Sequence, residues 1–411
     1  MDTATAIEID NDTFGVCPVC DRLIKRETLE HHVEAHFEQK ERSDLDEHNS
    51  DESMDTKRKH QRSELSKSEV LANDAMLARV LQEKEKWEME KQKEKEDKEF
   101  RRLQCAYGMN SASDYAEQYA QSLDKDVSRN KLSIAEYNSK KEKLLDSLLS
   151  GEESGETCTT GVIHYLQQQI IARGPTPNYF VRLCCPTDHF SSSYGDKNWG
   201  CGYRNLQMLL SALRRLERYN SVVSKVCRKV PSIPRIQQLI EDAWSNGYDR
   251  QGAGQLAHKL TKTKKWIGAT EVAVALRFIG LRAHIVDFHQ ASPKDGTHPE
   301  LFVWIKGYFS QDSAPTPVYF QHQGHSRLVV GFEERYAKTK TQHLIIFDPS
   351  HSPKQMQQLF ADEKKRNTGF NILRKTAKQL KSKQYQLVYV DGIMTEAEKQ
   401  NGKVLSSIRI P

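Results

Sequence analysis

Apolar residues fall into distinct regimes along the 411-residue chain. Between 161 and 411 two periods alternate. Helical spacing runs through 161–172, 205–219, 234–246, 252–260 and 269–279, and short runs rich in β-branched and aromatic residues predict strands at 281–286, 301–305, 318–321, 328–332, 343–347 and 384–390. Helices followed by strands predict an α+β domain, and about 250 residues suffice for a full core. Upstream the pattern changes. Residues 68–103 contain no Gly or Pro and predict one long helix, nearly all charge in its second half. Two further helical patterns, broken near 124–130, fill a helical arm over 104–150, and the Gly- and Glu-rich stretch 151–160 links it to the domain. Residues 39–67 are polar without period and predict a flexible linker. Before it stands a small unit at 13–38, after an N-terminal tail at 1–12.

Composition narrows this picture. Charged residues make up 28% and mean hydropathy is -0.73, so part of the chain is solvated helix or linker. No run approaches the ~18–20 apolar residues of a membrane span, and the first residues do not read as a signal peptide. The expectation is a soluble intracellular protein in a reducing compartment, where paired cysteines serve as metal ligands and a lone one as a nucleophile. A net charge of +5 is small for this length and does not by itself indicate nucleic acid. The basic run 57–62 reads either as a nuclear address or as a solvated charge cluster.

In the small unit, Cys17 and Cys20 precede His32 and His36, with 11 residues between the pairs. Two thiolates on a turn and two imidazoles one helical turn apart can close a tetrahedral Zn2+ site, and a piece this small has little core without one. His31 competes with His32, but ligation by His32 lets Leu29 pack inward. Glu27, Glu30, Glu34 and Glu38 on the same stretch give a finger helix the wrong sign for phosphates, so a protein partner is expected rather than direct nucleic-acid binding. The unit is similar to ubiquitin-binding zinc fingers of C2H2 type. On the long helix, Asp74, Leu77, Ala78, Leu81, Gln82 and Glu85 form one stripe with a small residue at its middle. A stripe of this kind is commonly a core face. Its pattern also resembles the inverted ubiquitin-interacting helix, in which the alanine permits close approach to an apolar patch and the acids meet its basic rim.

The candidate chemistry centres on Cys201, flanked by Gly200 and Gly202 where a loop becomes an apolar helix carrying Leu206, Leu209, Leu210 and Leu213. A helix N-terminus favours thiolate, the form that attacks carbonyls. Polar Asp196, Lys197 and Asn198 upstream predict an exposed rim. Downstream, an antiparallel hairpin with Leu328 opposite Ile345 places His325 opposite Asp348, supplying a base and its orienting carboxylate. The oxyanion needs donors: the Cys201 N–H is one; strand alternation puts Gln321 and Gln323 on the face of His325, Asn198 precedes the nucleophile, and of these three Gln321 is the favoured second donor.

The runs Asn198 to Asn205, Gly324-His-Ser-Arg327 and Ile346-Phe-Asp-Pro349 resemble the UFM-specific protease family of papain-like cysteine proteases over about residues 160–400. The finger and the inverted helix upstream are similar to a branch of that family acting on ubiquitin. The resemblance implies a papain-like domain preceded by a zinc finger and a helical arm, and a deubiquitinase preferring long lysine-sixty-three-linked polyubiquitin chains. It implies Cys201, His325 and Asp348 as catalytic residues, and Asp249, Glu271 and Trp266 as a grip on the Leu-Arg-Leu-Arg-Gly-Gly tail of ubiquitin. Trp199, beside the nucleophile, is a further wall for the glycines. One position departs from the family: two residues after the aspartate the family has histidine, and this chain has Ser350, with His351 one step further. The base is then His325, or His351 in a shifted arrangement. The family also implies nuclear and cytoplasmic residence, a part in genome maintenance, and DNA-repair or single-strand-binding proteins as partners. The rival expectations are a protease for UFM or another ubiquitin-like modifier, and a non-catalytic ubiquitin- or nucleic-acid-binding scaffold.

Overall fold

In the computed structural model the described residues are 14–16, 22–25, 28, 31–32, 79, 81–92, 94–95, 98 and 114–410, less 175–176, 293–294, 312–314, 337–338 and 361–369. The chain divides into two compact units, 1–92 and 93–411. In the first, β1 (Phe14–Val16) and β2 (Leu23–Lys25) pair antiparallel with Gly15 opposite Ile24. His31 is exposed and His32 half-buried on a helical turn. Cys17, Cys20 and His36 lie outside the described residues, as do Asp74, Leu77 and Ala78; of that stripe Leu81 is described, 53% exposed on a helix over 81–92.

The second unit opens with α1 (Tyr115–Ser128) and α2 (Ile134–Ser150), the helices read from the sequence as an arm. Tyr115, Tyr119 and Leu123 of α1 are buried in the main core, which makes α1 part of the domain body, whereas α2 buries no residue fully. Next come β3 (Cys158–Thr159), α3 (Val162–Arg173), β4 (Tyr179–Leu183) and β5 (His189–Phe190). Then α4 (Cys201–Arg215), α5 (Glu217–Val226), α6 (Ile233–Ser245), α7 (Arg250–Gln255) and α8 (Ala269–Ile279) form the helical half. The sheet half follows: β6 (Leu281–Phe288), α9 (Pro299–Gln311), β7 (Val318–His322), β8 (His325–Tyr336), β9 (Lys340–Phe347), α10 (Pro353–Gln357), β10 (Arg374–Lys375), β11 (Tyr385–Ile393), α11 (Glu396–Asn401) and β12 (Ser407–Ile410). The strands form one sheet in the order β10-β9-β8-β7-β11-β6-β12, with β4 pairing the far half of β8.

The helix α4 is the pivot, because every residue from Gly202 to Leu213 is buried and it packs on β8, β7 and β5. Each of its buried leucines contributes about 1.5–3 kcal/mol of transfer free energy. The start of this helix is thereby fixed against the sheet that carries the second half of the site.

Two strand expectations change. Residues 301–305 lie within α9, because Leu301, Phe302, Ile305 and Phe309 bury one helical face that a short apolar run does not distinguish from a strand. The hairpin forms, but Leu328 faces Phe347 instead of Ile345. A bulge between Val329 and Gly331 shifts the later pairs by one, so no single register holds along the ladder. Near the site the shift is two residues, which keeps every side chain on its face. His325 therefore meets Asp348 as a diagonal neighbour rather than a directly opposed one.

Candidate active site

Glycines let the loop at 191–200 deliver Cys201 to the first position of α4. A Cβ on Gly200 would stand 2.4 Å from the Asp196 Cβ, and one on Gly202 would stand 2.5 Å from the Ile267 carbonyl oxygen. Asp196 is fully buried, correcting the expectation that it belongs to an exposed rim. Its carboxylate accepts from Arg204 at 2.8 and 3.0 Å and from the Ser193 N–H at 2.8 Å, tying the loop to the helix. Arg204, also fully buried, donates further to Glu153 at 2.9 Å and Gln207 at 3.0 Å. Asn205 donates to the Cys201 carbonyl at 2.9 Å and to Ser326 at 3.0 Å. The polar residues after the nucleophile thus build a rigid seat for it.

Across the crevice, β8 presents His325. Its Nε2 lies 3.1 Å from Asp348 Oδ2, which leaves Nδ1 for the hydrogen bond to Cys201. Burial lowers the affinity of the imidazole for its proton, but the bonds to Asp348 and Cys201 outweigh it and raise the His325 pKa to about 9. For Cys201 burial works toward the neutral thiol, and hydrogen bonds from His325 and from the hydroxyl and N–H of Ser326 overcome it, lowering the pKa. Both shifts favour the form of the pair with a thiolate beside an imidazolium. Asp348 is buried, and despite the burial its carboxyl is held far below the ordinary carboxylate range by His325, the Ser350 N–H at 2.9 Å and Arg327. Arg327 Nε donates to the same oxygen as His325, at 2.7 Å, and its Nη1 lies 2.7 Å from the Nε2 of His322.

His351 is placed differently. Its ring stacks on buried His189 with centroids 6.4 Å apart, and it lines neither of the clefts that meet at Cys201. The structure brings Cys201 together with His325 and Asp348, not with His351.

The narrower of those clefts, about 290 Å³, runs from Cys201 along Trp266, Gly268 and Gln321 to Glu271. Trp266 lies against the backbone of Gly324 at the hairpin turn, and Glu271 is 8% exposed with its Oε2 accepting from the Gly268 N–H at 2.7 Å. Burial and the neighbouring Asp249 charge raise the Glu271 pKa. Asp249 adopts a left-handed φ of 43°; its Oδ1 caps α7 and its Oδ2 is buried without a hydrogen-bond partner. Among the described residues neither carboxylate makes a salt bridge. Gln321 lines this cleft, its Oε1 accepting from the Ala269 N–H at 2.6 Å, so that its amino group is the end able to donate to an oxyanion. Trp199 is not the passage wall expected. It is 2% exposed and its Nε1 donates to Gln118 of α1 at 3.2 Å, because the indole fills the seam between α1 and α4.

Residues 176–388, more than half of the sequence, match peptidase family C78. The chain belongs to peptidase family C78. A C78 peptidase with this thiolate, imidazolium and carboxylate is a cysteine protease. The rat protein named zinc finger-containing ubiquitin peptidase 1 is 41% identical over 356 residues, 83% of this chain and 60% of the relative. The mouse protein of that name is 37% identical over 96% of this chain and 67% of its own length. The ubiquitin carboxyl-terminal hydrolase mug105 of Schizosaccharomyces pombe is 32% identical over 49% of this chain and 79% of the relative. The C78 peptidase described here thus spans about 60% of the rat relative's length. Around the C78 site, sequence reasoning missed Arg327 and Ser326, although both stand beside His325 in the Gly-His-Ser-Arg run. The alternation of strand faces was the available signal: position 327 shares the face of 325 and so of the aspartate.

Proposed function

We propose that this C78 peptidase is a deubiquitinase that cleaves isopeptide bonds at the ubiquitin C-terminus, with preference for long lysine-sixty-three-linked chains. The observation that carries this reading is the narrow cleft running from Cys201 to Glu271, a carboxyl group that also feels the charge of Asp249. Two carboxylates without an ion pair among the described residues, Glu271 on the passage lined by Gly268 and Asp249 acting on it, suit a tail with two guanidiniums followed by two glycines. The ubiquitin-directed names of the relatives support the same substrate.

In the reaction, the Cys201 thiolate attacks the isopeptide carbonyl carbon, and a C–S bond forms as the carbonyl π electrons move to oxygen. The Cys201 N–H and the Gln321 amino group donate to that oxyanion. His325 passes its Nδ1 proton to the lysine nitrogen as the C–N bond breaks, leaving a thioester and a free amine. The now neutral imidazole takes a proton from water, hydroxide adds to the thioester, and collapse breaks the C–S bond, restoring the ion pair and releasing the ubiquitin carboxylic acid, which gives its proton to solvent. Asp348 fixes the ring throughout.

Upstream, Cys17, Cys20, His32 and His36 would hold structural Zn2+ in a finger, for which thiolate and imidazole donors are the fitting chemistry. The finger, the stripe at Asp74, Leu77, Ala78 and Leu81, and the helical segment would each engage a ubiquitin unit of a chain. Ubiquitin and UFM carrying C-terminal electrophiles test the substrate: labelling of Cys201 by ubiquitin is expected, and labelling by UFM alone overturns the reading. Cys201→Ala separates catalysis from scaffolding, since it should abolish all cleavage.

A further inference from the structure

The second cleft at Cys201, about 1000 Å³, lies between α1, the loop before the nucleophile and the residues after Asp348. Resting on the deubiquitinase reading, the tail occupies the narrow cleft, so the leaving lysine and its protein must occupy this wide one. Its lining is rich in cations. Lys125, Arg129, Lys131 and Lys197 line it, all exposed, and none makes a salt bridge among the described residues. Of the two acids on the same walls, Glu156 is paired with Lys140 and Lys143 at 3.4 and 3.1 Å, and Asp126, which accepts from the neutral Tyr194 hydroxyl at 2.9 Å, offsets part of the charge of the four, leaving the cleft positive. The isopeptide nitrogen is an uncharged amide, so this surplus of positive charge acts on the residues around the lysine: it repels flanking cations. Carboxylates flanking the linked lysine are instead attracted to the four cations.

The geometry points to acceptor selection by charge: the wide cleft favours isopeptide bonds whose lysine lies in an acidic stretch of the acceptor protein. Lys125, Arg129, Lys131 and Lys197 are then specificity residues for the side of the substrate that leaves first.

The test uses the full chain and peptides in which one lysine is isopeptide-linked to ubiquitin or to UFM, flanked by glutamates or by serines. The readout is the ratio of kcat/KM for the glutamate-flanked over the serine-flanked peptide. The wild type is expected to give a ratio of about ten at low ionic strength, falling toward one in high salt. The combined variant K125E/R129E/K131E/K197E is expected to bring the low-salt ratio to one or below, and the matching glutamine variant to an intermediate value. Because each substrate pair reports on the same folded sample, a loss of overall activity leaves the ratio readable. A wild-type ratio of one, or one unmoved by both variants, overturns the proposal. Cleavage of the UFM peptides alone overturns the deubiquitinase reading instead, while their flank ratio still decides the role of the cleft. Cleavage of no peptide overturns both.

Discussion

An attacking sulfur must be ionised at the pH where it works, and the two groups that accomplish this here titrate as a pair. Only the thiolate–imidazolium form is competent: raising pH through the lowered Cys201 pKa creates it, and raising pH through the His325 value of about 9 destroys the proton donor. The kcat/KM profile should therefore be bell-shaped, with its acid limb below the ordinary thiol value and its alkaline limb near 9. Asp348→Asn removes the carboxylate that stabilises the imidazolium, so the alkaline limb should move down by more than one unit and kcat should fall by at least about 10²-fold. An alkaline limb that stays in place would mean that Asp348 does not set the His325 proton affinity. Glu271 carries a different consequence. Its raised pKa means the ionised form is disfavoured in the fold, and Glu271→Gln retains the acceptor for the Gly268 N–H. At neutral pH the variant should melt no lower than the wild type while its kcat/KM on ubiquitin substrates falls about tenfold, a split that calorimetry and kinetics together check. Cys201, His325 and Asp348 were readable from residue type and spacing. The burial of Asp196 was not, because its partner Arg204 lies a helix turn beyond the nucleophile and a charged run reads as solvated until that pairing is known.

At the scale of elements, the site is the meeting of one helix start with one hairpin end, and errors in either element are transmitted directly. The hairpin was predicted from its apolar runs, yet near the site its register was off by two, because alternation repeats every two residues and does not distinguish registers that differ by two; the bulge adds a further shift of one beyond Val329. The site tolerated that error, since a two-residue slip preserves the face and Asp348 still reaches His325 diagonally. The helix start has no such latitude. Asp196→Ala leaves Arg204, at zero exposure, with Glu153 as its remaining carboxylate, and should cost about 3–5 kcal/mol of stability, read as a fall in thermal midpoint. Gly200→Ala forces a methyl group into the same carboxylate and should lower the alkylation rate of Cys201 together with the midpoint. Unchanged alkylation in a destabilised Gly200→Ala protein would show that the loop does not aim the sulfur.

Across the whole molecule, the order of parts was legible where composition changes sharply, as from a charged helix to an aromatic-rich domain. Membership of α1 in the domain body was not, because the surfaces that cover it, Tyr194 and Trp199, stand some eighty residues later in the chain. On the proposed function, a finger and an inverted helix would act only through linkage. A second and third weak contact would raise the local concentration of the substrate at the catalytic unit, so their effect should grow with chain length and vanish for a single ubiquitin. Cys20→Ala should abolish stoichiometric zinc, measured by metal analysis of the purified chain, because three ligands do not close a structural site. Ala78→Arg should block close approach to the helix stripe while leaving zinc in place. In both variants the ratio of turnover on long lysine-sixty-three-linked chains to turnover on ubiquitin bearing a small fluorogenic leaving group should fall by about 10- to 100-fold. Equal loss on the two substrates would place the defect in the peptidase unit, and an unchanged ratio would mean that the upstream modules do not select chain length.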